Sequence, residues 1–139
     1  MEKKEISVKE KDRLGLCDIL LGIFKNFKGN YFLNDRSLIH YTFYELREKY
    51  SILSNLVFKK DVIFPESRML DEAFYSLQPE FLGKINPALG YFQIKKDRIN
   101  LLWEKHLKNK LKNVESDLKD IAKVLEKELG VKEIHKNTL

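Results

Sequence analysis

Six apolar side chains late in this chain recur at alternating steps of four and three: Leu107, Leu111, Val114, Leu118, Ile121 and Leu125. Only a helix, at about 3.6 residues per turn, brings such positions onto one side. The spacing predicts one long amphipathic helix, capped by Asp97, running to Leu129 and stopped by Gly130. A stripe of that length must be covered by something. Taking the four-residue step as d to a puts Leu111, Leu118 and Leu125 at a, and Leu107, Val114 and Ile121 at d. Leucine at a with β-branched residues at d disfavours a two-stranded parallel coil. Two coverings stay open: packing on the first helix of the same chain, or a seam with a second copy or another protein. Ala122 and Val124 widen the stripe, as in a helix that touches more than one neighbour, and the pattern loses register at Glu128.

The rest of the chain reads as shorter elements. Leu16, Cys17, Leu20, Phe24 and Phe27 mark a first helix from Glu10 to Phe27, with Lys28 in its last turn and Gly29 as its stop. Gly15 and Gly22 lie seven apart on that helix, where small residues admit a close neighbour. A second helix is expected after the cap Asn34. It carries Leu38, Ile39, Thr42, Phe43, Leu46 and Tyr50 and ends between Lys49 and Leu53. Leu56–Phe58 and Val62–Phe64 suit one short strand or an ordered loop. Pro65 suits the first turn of a third helix with Met69, Leu70, Ala73, Phe74 and Leu77 on its buried face, closed by Pro79. Residues 81–85 and 91–95 flank Asn86-Pro87-Ala88-Leu89-Gly90 and read as a β-hairpin. With 43% apolar and 12% aromatic residues, the 139-residue chain is expected to form a single domain, 1–139, with loose ends at 1–8 and 131–139.

The order helix, helix, helix, hairpin, helix resembles the winged-helix arrangement, in which three helices pack together and the hairpin forms the wing. The resemblance is one of element order. It implies a mainly α fold: a three-helix core, a short β-hairpin and a long C-terminal helix.

Most site chemistries lack their residues. A single cysteine, Cys17, excludes an internal disulfide, so a reducing, cytoplasmic setting is expected. Bulky Leu16 ahead of Cys17 does not suit a lipoprotein cleavage site. The apolar run from Leu14 to Phe27, interrupted by Asp18, Lys25 and Asn26, is too short and polar to cross a bilayer. The first thirteen residues mix acids and bases, unlike a signal peptide. There is no P-loop, no G-x-G-x-x-G and no G-x-S-x-G. One cysteine and the dispersed His40, His106 and His135 do not form a zinc motif. His40 reads as a helix-surface or core-edge residue. Asp71 and Glu72 are adjacent on a helix and diverge. The only E-x-K is Glu2-Lys3-Lys4, and Arg98 lies eight residues from His106. No catalytic residue, metal or cofactor is expected. Abundant Lys, Glu, Ile and Leu with little Cys and Met also suits a thermophile.

Charge supplies the remaining signal. From Lys95 to Lys112 there are seven bases (Lys95, Lys96, Arg98, Lys105, Lys108, Lys110, Lys112) against two acids, a local balance equal to the chain's whole net charge of +5. Lys105, Lys108 and Lys112 share one face of an unbroken helix, and Lys84 adds a base in the hairpin. Such a strip contacts phosphates without reading sequence. The third helix is the reverse: from Asp61 to Glu80 five acids face one base, Arg68, which opposes major-groove reading. Tyr91, Phe92 and Trp103 beside the strip suit either base stacking or the core. The leading expectation is a small DNA-associated regulator or accessory protein that uses Lys84, Lys95, Lys96, Arg98, Lys105, Lys108 and Lys112. The alternative is a non-enzymatic interaction module, a homodimer or a subunit of a larger assembly, that docks through Leu107, Leu111, Val114, Leu118, Ile121 and Leu125 or through the acidic third helix.

Overall fold

The computed structural model describes residues 14–60, 63–85 and 90–130. The expected loose ends and most of the hairpin loop lie outside these. The fold is mainly helical, with one small antiparallel sheet. In chain order the elements are α1 (Leu16–Lys25), β1 (Tyr31–Leu33), α2 (Arg36–Arg47), a 3-10 turn (Ser51–Leu53), α3 (Arg68–Ser76), β2 (Leu82–Ile85), β3 (Tyr91–Ile94), α4 (Lys96–Leu102) and α5 (Glu115–Leu129). Between α4 and α5 lie a π turn (Trp103–Leu107), one helical turn (Lys108–Lys110) and a 3-10 turn (Lys112–Val114). Among the described residues no helix is long and apolar enough to cross a membrane.

The hairpin is present, and it gains a third strand. β3 is central, with β2 on one side and β1 on the other, in the order β1-β3-β2. Phe32 sits opposite Phe92, and Lys84 also pairs with Phe92. Three residues are too few to carry a period-two signal, so Tyr31–Leu33 has no signature of its own. Local caps also differ from expectation. Asp35, not Asn34, caps α2 by accepting the Leu38 N–H at 3.2 Å. Pro65 lies ahead of α3, whose cap is Ser67: its hydroxyl accepts the Leu70 N–H at 3.3 Å. Between α2 and α3 the backbones of Lys59 and Glu66 exchange hydrogen bonds at 2.7 and 3.0 Å in an isolated bridge, and Val62 of the expected strand or loop lies outside the described residues.

The main correction concerns the last helix, which is not one rod. It passes through a π turn, bends at Leu111 and restarts at Glu115. The bend returns α5 across α1, α2 and β1. Leu107, Leu111, Val114, Leu118, Ile121 and Leu125 are all 0–2% exposed within the single chain. A straight helix could not lay both halves of that stripe on one small core. Burying each leucine side chain stabilises by about 1.5–3 kcal/mol, so the stripe as a whole outweighs a few lost helical hydrogen bonds at about 0.5–1.5 kcal/mol each. Close approach occurs at Gly22, where Leu118 and Leu111 press against the α1 backbone; a Cβ at Gly15 would meet nothing within 4 Å among the described residues.

An aromatic cluster joins the layers. Phe24 stacks on Phe32 at 5.1 Å between centroids, Phe32 meets Phe92 at 5.2 Å, and Phe74 packs edge-on to Phe24 at 5.9 Å. These rings tie α1, β1, α3 and β3 into one core.

Candidate functional site

Two surfaces carry chemistry. The first holds part of the basic strip. At the junction of β3 and α4, Asn30, Gln93, Lys95, Lys96, Asp97 and Arg98 line a shallow groove of about 480 Å³. A second groove of about 450 Å³ lies between the α3–β2 turn and α4 and is lined by Glu80, Phe81, Arg98, Leu101, Lys105 and His106. Arg98 lines both grooves, which between them carry Lys95, Arg98 and Lys105. Lys95 lies over Gly83, where an added Cβ would come within 3.2 Å of the lysine Cε. The bare glycine thus leaves room for the lysine stem to cross the sheet.

The other predicted bases are placed differently. Lys96 turns inward, and its ammonium donates to the Phe27 carbonyl beyond the end of α1. Burial holds its pKa below the ordinary lysine value, partly countered by Glu126, so it is a structural cation. Lys108 is exposed and lies 3.6 Å from Glu104. Lys110 is paired with Asp18 of α1 at 2.6 Å. Lys112 is exposed in the 3-10 turn after the bend, on a different element from Lys105 and Lys108. Lys84 stands apart, on the sheet face toward α3. Trp103 and Phe92 are buried, which removes them as stacking platforms, while Tyr91 is half-buried. Lys25 covers the Trp103 ring at 4.7 Å from its centroid.

The six apolar residues of the proposed docking seam belong to the chain's own core. A seam through them would require α5 to leave α1.

The second surface was not visible in the sequence because Arg36 and His40 lie 27 to 35 residues from their partners Glu66, Ser67 and Asp71. His40 of α2 is buried, 2% exposed, between α2 and the start of α3. Its Nδ1 accepts the Ser67 backbone N–H at 3.0 Å. The other nitrogen must then carry the proton, and Nε2–H donates to Asp71 at 2.8 Å. Asp71 is also gripped in parallel by Arg36, from Nε at 3.0 Å and Nη2 at 2.7 Å, while Nη1 donates to Glu66 at 2.8 Å. The guanidinium holds the Asp71 carboxyl below its usual range. Burial pushes the His40 imidazole below its ordinary value despite the neighbouring Asp71. Arg68 pairs with Glu72 at 2.9 Å. Glu66, Asp71 and Glu72, three of the acids that made the third helix read as repulsive, therefore each have a cation beside them. Next to this network lies a cavity of about 210 Å³, lined by Asn34, Arg36, Ile39, His40, Asp71, Phe74, Tyr75, Gln78, Lys84 and Phe92.

Comparison with protein-family models, curated protein sequences and solved structures finds no match to this chain.

Proposed function

We propose that this chain is a small winged-helix-like, DNA-associated protein that contacts phosphates through Lys95, Arg98 and Lys105. The single observation that carries the reading is that Arg98 lines both grooves, so that Lys95, Arg98 and Lys105 fall on neighbouring surface, with Asp97 and Glu80 as the acids in the linings. Cations spaced along a groove suit a phosphate backbone, which attracts them by counterion release without reading bases.

The winged-helix part rests on topology. The order α1-β1-α2-α3-β2-β3, with β1 paired beside the hairpin strand β3, suits three helices capped by a short sheet. Fold analogy alone does not assign function. The ion pairs on α3 remove part of the electrostatic objection to an anionic partner. The test is fluorescence anisotropy with a labelled random-sequence duplex at 20–200 mM salt. The reading expects affinity to fall steeply with salt and with Lys95→Glu, Arg98→Glu and Lys105→Glu combined. Absence of binding even at low salt would sink it.

A further inference from the structure

We propose that the cavity between α2, α3 and the β2–β3 hairpin binds a small aromatic monocarboxylate. The floor is apolar and largely aromatic: Ile39, Phe74 and Phe92, at 4%, 8% and 4% exposure. The Phe74 and Phe92 rings pack on one another, 5.9 Å between centroids and tilted by 49°, and what stays accessible of them lines the cavity. A flat ring gains from such offset and edge contacts beyond what its area alone supplies. Tyr75, 80% exposed, and Gln78 stand at the α3 side of the opening, and Asn34 at the α2 side.

Charge selects the polar end of the ligand. Arg36 is committed to two acids, to Asp71 through two parallel hydrogen bonds and to Glu66 through a third, so it is not free for a ligand. His40 is neutral, because its Nδ1 is an acceptor for Ser67 and its Nε2–H is donated to Asp71. Lys84 is left as the lining cation without an ion-pair partner among the described residues. One uncompensated cation above an aromatic floor fits one carboxylate on one ring. Size sets the upper limit. A cavity of about 210 Å³ lies below the roughly 300–1,000 Å³ of sites for drug-sized ligands. It suits a single ring with its carboxylate. This site involves none of the strip cations, so it stands or falls separately from DNA binding.

The experiment is an NMR titration of the full-length protein, without DNA, with benzoate and with benzamide, its neutral isostere. Benzoate is expected to shift the Phe74 and Phe92 ring signals with a Kd on the order of 1 mM, the range for so small a ligand. Benzamide is expected to bind at least fivefold more weakly. Lys84→Gln, at an exposed strand position, is expected to weaken benzoate at least fivefold and leave benzamide unchanged. Equal binding of the two probes, an unchanged benzoate affinity in Lys84→Gln, or benzoate shifts that miss Phe74 and Phe92 would each overturn the proposal. Inorganic phosphate is the further control. If it displaces benzoate at equal concentration, the site is a bare anion site and the aromatic assignment fails.

Discussion

Leu118 occupies the space that a side chain at Gly22 would need: a Cβ there would fall 2.7 Å from the leucine Cδ1. Leu118 is fully buried and has little freedom to swing away. Two effects therefore oppose each other in Gly22→Ala. Helix propensity favours alanine by about 1 kcal/mol. Overpacking against a fixed neighbour costs about 1–3 kcal/mol. The variant is expected to be net destabilised by roughly 1 kcal/mol, and to become stabilising in a Leu118→Ala background, where the space is free. Urea denaturation of the four proteins measures this coupling. Additive effects would show that α5 does not bear on α1 at this point.

The stripe residue Leu111 separates intrachain packing from assembly. At 0% exposure inside one chain, Leu111→Asp is expected to cost more than about 3 kcal/mol, because it opens a cavity and buries a charge. The loss, and the Tm of the parent protein, should be independent of protein concentration. A parent Tm that rises with concentration would point instead to a seam between copies.

The His40 network makes stability depend on pH in a definite direction. Neutral imidazole is required by the Ser67 N–H, and burial lowers the folded-state pKa. A base whose pKa is depressed on folding contributes stability that is complete above its unfolded value, about 6.5, and is lost as pH falls. Asp71, also depressed, contributes stability that is complete above about 4 and is lost only below that. The His40 contribution to the unfolding free energy should therefore be flat above pH 7 and decline as pH falls below about 6.5. His40→Asn should flatten that decline, whereas His40→Leu should also strand the buried Ser67 N–H, at about 1–3 kcal/mol. A decline unchanged in both variants would place its origin elsewhere.

Trp103, the chain's single tryptophan, is 3% exposed beneath Lys25. Its emission should be blue-shifted, resist iodide quenching and stay unquenched when DNA is added. Strong quenching on binding would mean that the ring reaches a base, contrary to its buried position.

The helices were legible because their stripes are strong. Leu20, Phe24, Ile39, Phe43, Leu70 and Phe74 all sit in the core that their spacing implies. What escaped is what spacing cannot encode. The bend at Leu111 arises because both halves of one stripe seek the same core, a tertiary demand that overrides a continuous local pattern. Tyr31–Leu33 becomes a strand only because β3 is there to pair with it. Site residues followed the same division. The strip was visible as charge, but the inward turn of Lys96 depends on the Phe27 carbonyl, far away in sequence. His40 was noticed as a lone histidine, while its partners Ser67 and Asp71 are brought to it only when α3 docks on α2.

The central claim, a phosphate path through Lys95, Arg98 and Lys105, is tested most directly by the salt dependence of duplex binding. Each phosphate contact contributes close to one unit to the slope of log K against log salt. The wild type is expected to show a slope of roughly −2 to −3, and Arg98→Gln to lower it by about one unit while leaving the fold intact, since Arg98 is exposed. A slope unchanged by Arg98→Gln, or no binding at 20 mM salt, would contradict the account.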